Sequence, residues 1–547
     1  MKNVRAALAF PPGLVQDGKV DGLLLENFRQ RIPAKVQEAL EPFGYYEAQV
    51  TTAMEKTEEG FDRLRVKVIP GDPVWITTLT MEIEGPGRKE PSLQELVAHF
   101  PLIEGEVLNQ GVYEKAKKQL LARAVDLGYL KAKFPTHSIR VNRAKREAEV
   151  ALVLDTGPQY RFGEVTFSGA PEYPRSFLHR YLAFIPGEGF SYAKLGQTQL
   201  NLINSDRFKG VGIQAERKEA KDQFVPVTLK LEPSPPKRLR PGIGYGTDTG
   251  IRGALRYQNV NFFQTGHEWN IDLSVSEKVQ EAGTRYIIPS PRDIDSLSSL
   301  ALGFKNERTD SYDSRLFTVE PELIRSFRSG RIGSLFLQFR QEDYSVAGED
   351  NRSRLIMPGL RLTKRKVDSI SRPTRGYRYF LETRGTHQAL GSDTGFVQQL
   401  VEGYLLQSLP GRFSLFARLQ AGFTWQTESL QDLPASLRFF AGGDNSVRGY
   451  AYKSLGPTDE SGQVTGGQHL LVGSLELERH FGKSWGVAVF YDAGNAFNTF
   501  SDLHLAQGAG VGVRYYTPIG PIKVDVARQI KKEDPRFRLH VTVGFNL

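Results

Sequence analysis

The chain has 547 residues, a formal net charge of +9 and no cysteine. The missing cysteines exclude disulfide frameworks, cysteine-ligated metals and cysteine nucleophiles. No stretch holds the roughly 18–20 uncharged apolar residues of a membrane-spanning helix, which excludes a polytopic helical membrane protein. The basic residues are spread along the chain without long runs, so they predict ordinary surface charge and no nucleic-acid partner. A soluble all-β or mixed protein and a β-barrel membrane protein remain.

The N-terminal stretch allows two interpretations. It is apolar from Val4 to Phe10, as the end of a signal peptide would be. The stretch is short, however, and Arg5 interrupts it. We favour a helix of the first domain and expect any export signal to lie outside this chain.

Three short motifs recur 84 positions apart in the first 235 residues, which predicts a tandem array. The pairs are Gly44-Tyr45 with Gly128-Tyr129, Glu84-Gly85 with Ser168-Gly169, and Phe100 with Phe184.

The middle unit predicts one module of the form β-α-α-β-β. Its first helix is expected to begin at Ser92, with Glu95 completing a capping box. Its second helix has apolar residues at helical spacing, and its strands alternate. The predicted elements are a strand over Val74–Glu84, helices over Ser92–Phe100 and Gly111–Leu127, and strands over Ala132–Val141 and Glu147–Asp155.

This element order resembles the POTRA domain, the periplasmic module of the Omp85 family. The resemblance implies three POTRA units, at residues 1–72, 73–157 and 158–234, the first of them lacking its opening strand. Three unrelated α+β domains are the alternative.

Residues 235–547 change to short alternating segments separated by turn residues. A soluble sandwich gives the same period, but aromatic strand ends and more than 300 residues without a helical pattern favour a lipid-embedded barrel. Dividing the segment by roughly 18–20 residues per strand and connection predicts about 16 antiparallel strands. The fold class is therefore α+β tandem modules followed by an all-β transmembrane barrel. The last strand shows the alternation best, with Phe537, Leu539, Val541, Val543, Phe545 and Leu547 on one face.

A loop motif and a wall motif extend the resemblance to the barrel. Val447-Arg448-Gly449-Tyr450 closely resembles the conserved loop of Omp85 barrels, which folds into the lumen and pairs its Arg with an acidic wall residue. Phe490-Tyr491-Asp492-Ala493-Gly494 has the family's Phe-x-Asp-x-Gly form. A surface arginine in a glycine-rich turn is the alternative for Arg448.

The resemblance implies a contact between Arg448 and Asp492. Alternation places Asp492 on the inner face, which is compatible with that contact, and a guanidinium pairs a carboxylate bidentately. We assign Gly494 and Glu476 to the wall side of this loop lock as well, with Glu478 as a further acceptor.

Two glycine-rich segments, residues 242–250 and 510–522, predict hairpins. They are not phosphate loops, since neither has the Gly-x-Gly-x-x-Gly pattern at the start of a helix. Residues 242–250 resemble the first barrel hairpin, and residues 510–522 the penultimate one. We expect a weak seam between the first and last strands, because glycines pack little surface there. The predicted seam residues are Gly242, Gly244, Gly246, Val541, Val543 and Phe545.

No catalytic constellation is evident. The nine histidines are scattered, and no Gly-x-Ser-x-Gly elbow is present. Glu476 and Glu478 could imitate a glycosidase pair, but alternating inward carboxylates more often line a wet lumen. We expect no enzyme, no catalytic or metal-ligating residue and no cofactor.

The motifs together look most like the TamA branch of the Omp85 family. That resemblance implies a Gram-negative outer-membrane protein with periplasmic POTRA units, which inserts or translocates clients such as autotransporters. It implies as partners the lipid bilayer, unfolded outer-membrane proteins and a TamB-like protein anchored in the inner membrane. A two-partner-secretion transporter of one dedicated exoprotein and a passive channel are the alternatives.

Overall fold

The computed structural model describes residues 2–16, 19–56, 62–327, 330–368, 374–426, 429–482, 484–517 and 520–543. Helices and small sheets form its N-terminal part, and strands alone form the barrel. The helices are α1 Lys2–Ala7, α2 Gly22–Leu40, α3 Pro91–Ala98, α4 Gln110–Asp126, α5 Arg175–His179 and α6 Tyr192–Ile203. The N-terminal strands are β1 Val15–Gln16, β2 Lys19–Val20, β3 Gln49–Lys56, β4 Asp62–Ile69, β5 Trp75–Glu84, β6 Lys133–Asn142, β7 Glu147–Asp155, β8 Arg161–Ser168, β9 Phe208–Ala215 and β10 Phe224–Pro233.

The barrel strands follow β10 without an intervening α-helix in the described residues. They are β11 Lys237–Gly246, β12 Gly250–Phe262, β13 His267–Ser276, β14 Val279–Pro289, β15 Ser296–Arg308, β16 Tyr312–Phe327, β17 Arg331–Val346, β18 Glu349–Val367, β19 Gly376–Thr386, β20 Phe396–Leu409, β21 Phe413–Gln426, β22 His469–Phe481, β23 Trp485–Phe497, β24 Ala506–Thr517, β25 Gly520–Ile530 and β26 Phe537–Val543.

The chain divides into two compact units. The first contains Met1–Ser168, Leu182–Asn204 and Gly210–Leu231, and the second contains Gly169–Tyr181, Ser205–Lys209 and Glu232–Leu547. The predicted boundaries of the third repeat therefore enclose segments of both units. None of the described helices is both long and apolar enough to cross a bilayer.

The middle module shows how the repeats fold. Its sheet has the order β5-β7-β6, with β7 in the centre, and the next module has the equivalent order β8-β10-β9. The central strand β7 turns alternate residues toward α4, which presents its own apolar residues at helical spacing. The buried residues are Tyr113, Ala116, Leu120 and Ala124 on α4, and Ala148, Val150, Leu152 and Leu154 on β7.

The predicted capping box of this module is wrong. Helix α3 begins at Pro91 with Glu90 at the N-cap, and no side chain caps it. Proline suits a first helical position because its missing N–H would have no partner there. Ser92 thus lies within the helix, where its Oγ accepts a hydrogen bond from Arg123 Nε at 3.2 Å.

The second unit contains a closed antiparallel barrel of sixteen strands in sequential order, β11 to β26, within the described residues. This confirms the predicted fold class and strand number. Apolar side chains point outward and small or polar ones inward, as β23 shows: Val489 is 50% exposed, whereas Asp492 is fully buried. Phe545, which we predicted in the seam, lies outside the described residues.

Within the second unit, the segments Gly169–Tyr181 and Ser205–Lys209 contact one end of the barrel. Arg180 donates to the Asp293 carbonyl at 3.0 Å, and Arg207 donates to the Gly266 carbonyl at 3.1 Å. Both carbonyls lie in connections between strands at this end. The long connection between β21 and β22 leaves the opposite end, and we call its described residues, 429–468, the lumen loop.

Candidate functional site

The lumen loop is anchored on the inner wall by Arg448. Its guanidinium pairs with Asp492 bidentately, with Nε 2.7 Å from Oδ2 and Nη2 3.0 Å from Oδ1. The Arg448 backbone N–H also donates to Asp492 Oδ2, at 3.1 Å. Because both the side chain and the backbone bind one carboxylate, the register of the loop on β23 is set at this residue.

Two further carboxylates complete the site. Arg448 Nη1 lies 2.8 Å from Glu476 Oε2 and 3.1 Å from Asp525 Oδ2. Arg514, which is fully buried, pairs with the same two carboxylates. Burial alone would lower the pKa of Arg448, but the hydrogen bonds and charges of Asp492, Glu476 and Asp525 raise it above its usual range. The guanidinium is therefore a permanent cation.

Packing holds the same guanidinium in place. Its central carbon lies 3.4 Å from the ring centre of Phe490, a cation–π contact within the wall motif itself. On β24, Gly508 allows the loop backbone to approach, because a Cβ there would be 2.0 Å from the Arg448 carbonyl oxygen. Arg448 is only 6% exposed as a result.

The other residues of the loop motif have separate contacts. Val447 is fully buried and packs with Ala441 and Val472. Gly449 has a φ of +97°, a conformation that favours glycine, and its N–H donates to His540 Nε2 at 2.9 Å. Tyr450 is partly buried and packs against the cluster that Val447 forms with Ala441 and Val472.

Two of the assigned wall residues have other roles. Gly494 packs against Val472, where a Cβ would lie 2.7 Å from the Val472 Cα, so it permits close strand packing rather than accepting from the loop. Glu478 accepts hydrogen bonds from Tyr516 Oη at 2.9 Å, further along β22. The reason is register: Glu478 opposes Ala488, two inward positions away from Asp492.

Sequence reasoning missed several contacts of the site. Asp525 and Arg514 follow the inward alternation of β25 and β24, so that signal was available for them. On strands far from β23, Glu307 accepts from Tyr452 and Lys453, and Glu342 accepts from the Ser436 N–H at 3.1 Å. No sequence spacing indicates these pairs.

The described part of the seam joins β11 to β26 at two residue pairs, and β26 is described only to Val543. Tyr245 pairs with Val543 and Gly246 with Thr542, whereas β11 pairs with β12 along its whole length. In this register, residues 537–540 of β26 lie beyond the end of β11. The backbone N–H and C=O groups of these four β26 residues therefore have no partner on β11 among the described residues.

The three predicted glycines of β11 differ in their surroundings. Gly244 leaves room for Arg252 of β12, because a Cβ there would be 2.7 Å from Arg252 Nε. Arg252 Nη2 reaches past it and donates to the Val543 carbonyl at 3.3 Å. A Cβ on Gly242 would meet only ordinary contacts, with Ala254, and one on Gly246 would lie 3.7 Å from Asp444 Oδ2.

A cluster beside the seam contains Asp248, Asp444 and His540, whose possible ligand atoms lie within 4.8 Å of one another. Both nitrogens of His540 are engaged there. Nε2 accepts the Gly449 N–H, so the ring is neutral and its proton is on Nδ1, 2.5 Å from Asp444 Oδ1. Because neither nitrogen offers a free lone pair, the arrangement does not suit a metal ion.

Comparisons with known proteins identify the family. A family model described as the Omp85 superfamily domain matches residues 261–546, more than half of the chain. The chain belongs to the Omp85 superfamily. A second model, the POTRA domain TamA domain 1, matches residues 1–70. The predicted family is therefore confirmed.

Two curated relatives are longer than the chain. The outer membrane protein assembly factor BamA of Nitratidesulfovibrio vulgaris is 23% identical over 429 residues, which cover 73% of this chain and 52% of that protein. BamA of Neorickettsia risticii is 21% identical over 480 residues, which cover 81% of this chain and 62% of that protein. The chain thus matches less than two thirds of either relative.

Two solved structures share the fold. BamA from Haemophilus ducreyi lacking POTRA domains 1–3 is similar with a TM-score of 0.68 and 18% identity, over 86% of this chain and 99% of that chain. CdiB from Escherichia coli is similar with a TM-score of 0.52 and 14% identity, over 98% of this chain and 100% of that chain. At these identities the similarity concerns the fold.

Proposed function

We propose that this Omp85 protein is an outer-membrane assembly or translocation factor, which inserts or secretes β-barrel clients such as autotransporters. The barrel lies in the outer membrane and the POTRA modules in the periplasm. The observation that carries the proposal is the seam between the first and last barrel strands, where β11 meets β26 at Tyr245–Val543 and Gly246–Thr542 with no hairpin joining the two strands. Relatives named as outer membrane protein assembly factors support it.

The mechanism is strand addition at this seam. A barrel in lipid must pair its backbone groups, because no water is present to satisfy them. In the sequential strand order of the barrel, β11 and β26 are neighbours that no hairpin joins, so this junction can separate without breaking a connection between consecutive strands. A client strand that adds to the freed edge restores the hydrogen bonds. The client thereby enters the bilayer as a paired strand, and the protein acts by binding rather than by catalysis.

The lumen loop argues against the passive-channel alternative. Arg448 holds it to the wall formed by β22, β23 and β25, and Lys453 holds it to Glu307 on β15. A loop tied to distant strands crosses the lumen and obstructs the path of solutes. A two-partner-secretion transporter remains the alternative within the same fold.

We also propose a TamB-like periplasmic partner that docks on the POTRA modules. The match of residues 1–70 to a TamA-type POTRA domain supports it. An edge strand such as β6 offers unpaired backbone groups to an extended partner segment. Purified partner should bind the full-length protein in a pull-down, and failure to bind would leave the assembly role to the barrel alone.

The main test uses a reversible lock on the seam. Tyr245→Cys with Val543→Cys places two cysteines at paired positions, where antiparallel Cα atoms lie about 4.5–5.5 Å apart, within disulfide range. The full-length protein in liposomes receives a urea-unfolded small barrel protein, whose folding is followed by heat-modifiable gel mobility. We expect faster client folding than in empty liposomes, loss of the acceleration on oxidation, and recovery on reduction.

A matched lock on the other side of β11 serves as the control. Ile243 and Gly253 are also paired, and a Cβ on Gly253 meets no atom within 4 Å. The disulfide between cysteines at these positions joins β11 to β12 and leaves the seam free. Acceleration that survives the seam lock would refute strand addition at the seam. No acceleration by the reduced protein would refute the assembly role.

A further inference from the structure

Asp248, Asp444 and His540 bring together three separate parts of the barrel. Asp248 lies in the turn between β11 and β12, Asp444 on the lumen loop and His540 on β26. The Asp444 N–H donates to Asp248 Oδ2 at 2.5 Å, and Thr247 Oγ1 donates to Asp444 Oδ1 at 3.0 Å. With His540 Nδ1 on the same Asp444 oxygen, both strands of the seam are tied to one loop residue.

One atom of this cluster has no hydrogen-bond partner among the described residues. Asp248 is 8% exposed, and its Oδ1 is buried and unpaired. A buried carboxylate oxygen without a donor is unfavourable, and here a second carboxylate, Asp444, faces it. A proton on Asp248 would remove one of the two negative charges and turn the unpaired acceptor into a donor. Two carboxylates that share a site commonly retain one proton in this way.

We propose that Asp248, Asp444 and His540 form a proton-dependent clasp, which holds the lumen loop and both seam strands together while Asp248 is protonated. Ionisation of Asp248 places two carboxylates side by side and loosens the clasp. The proposal deepens the proposed function, because it rests on the seam being the junction that opens. The protonation of Asp248 would then control both the position of the lumen loop and the closure of the seam.

The sign of the pH dependence follows from the direction of the pKa shift. Burial, and then the Asp444 carboxylate, raise the pKa of Asp248 to about 6, although the Asp444 N–H and the charge of Arg538 oppose the shift. An aspartate freed by opening has an ordinary pKa of about 3.9. Protonation therefore favours the closed state, fully so below about pH 3.9, and this stabilisation is lost as the pH rises through about 6.

Other titratable groups on the lumen loop, β25 and β26 face the cluster. Tyr452 on the lumen loop acts on Asp248, and Asp525 on β25 opposes His540 in register. Asp525 already pairs with Arg448 and Arg514. His540 on β26 faces the cluster with both ring nitrogens engaged, since its Nε2 accepts the Gly449 N–H and its Nδ1 contacts Asp444.

The test measures seam separation directly and needs no client. Tyr245 and Ile522 both pair with Val543, one on each side of it, so nitroxide labels on Tyr245→Cys and Ile522→Cys lie about 10 Å apart in the closed barrel. Dipolar broadening of the electron paramagnetic resonance spectrum in lipid vesicles reports the closed fraction. From pH 5.5 to 7.5 we expect the ratio of closed to open seam to fall about fourfold, as one proton with these pKa values requires.

Asp248→Asn is the decisive variant, because asparagine resembles the protonated side chain. It should remove the loss of closed seam that the wild type shows as the pH rises through about 6. Asp310→Asn, in the exposed turn between β15 and β16, should keep the wild-type profile. A flat wild-type profile, or a wild-type profile in Asp248→Asn, would overturn the clasp. Client folding by the same samples is scored separately, so failure of the clasp and failure of the assembly role are distinguishable.

Discussion

Lys453 Nζ lies 2.7 Å from Glu307 Oε1, and this pair holds the lumen loop to the strand β15. Five residues earlier in the loop, Arg448 is bound to Asp492 on β23. In the order of the closed barrel, β15 is the fifth strand and β23 the thirteenth of sixteen. The two strands therefore stand on opposite walls, and the loop segment between these residues works as a strut across the lumen.

Breaking the Lys453 end of the strut should open the lumen while the other end stays bound. Lys453→Met removes the cation and leaves the buried Glu307 carboxylate with one partner fewer, at a cost of about 3–5 kcal/mol. We expect more frequent and larger conductance steps in planar bilayers than in the wild type. Adding Glu307→Gln should recover much of the stability but not the closed lumen, since the tie is still missing.

Lys278→Met is the matched control for this pair. Lys278 lies 3.6 Å from Asp310 in exposed turns, where an ion pair contributes about 0–1 kcal/mol. Its conductance and unfolding should equal those of the wild type. Closed, silent bilayers with Lys453→Met would show that the Arg448 end alone fixes the loop.

The Arg448 end should matter more for loop protection. Arg448→Ala leaves Asp492, Glu476 and Asp525 without their shared cation, and breaking such a buried network costs about 3–5 kcal/mol. Arg448→Lys keeps the charge but loses the bidentate contact, so it should be intermediate. The measurements are the protease resistance of residues 429–468 and the temperature of heat-modifiable unfolding. Arg412→Ala, in an exposed turn, is the control, and equal protease resistance in Arg448→Ala would contradict the anchor.

The sequence predicted the features that depend on a short residue period or on a short motif. Strand alternation and turn residues predicted the barrel and its strand number, since the period of two is imposed by the backbone itself. The pairing of Arg448 with Asp492 followed from a motif and from the inward parity of one strand. The structure places their atoms 2.7 Å apart.

Contacts between distant strands could not be derived in this way. Glu307 is an inward carboxylate among many, and only the closed barrel brings it to Lys453. The capping box failed because proline at the first helical position competed with the serine one residue later. His540 could be placed on the inner face by parity, but its bond to Asp444 depends on the path of the lumen loop.

Asp492 on β23 and Glu478 on β22 are both inward carboxylates, and comparing them tests which of the two anchors the lumen loop. Asp492→Asn should weaken the protease resistance of the lumen loop, because it removes the charge that Arg448 contacts with its side chain and backbone. Glu478→Gln changes an equally inward carboxylate that accepts from Tyr516 instead. We expect a loss of about 2–5 kcal/mol in the first variant and a smaller change, without loop exposure, in the second. The same loop exposure in both variants would contradict a specific lock.

Backbone proximity at β24 gives a prediction that involves no charge. A Cβ on Gly508 would lie 2.0 Å from the Arg448 carbonyl oxygen, so Gly508→Ala must push the loop away from the wall. Overpacking of this kind costs about 1–3 kcal/mol and should expose the loop to protease although Arg448 and its acceptors are intact. Gly473→Ala on β22 is the control, since a Cβ there meets no atom within 4 Å. If Gly508→Ala behaves like Gly473→Ala, the loop is not pressed against β24 and its position rests on the ion pairs alone.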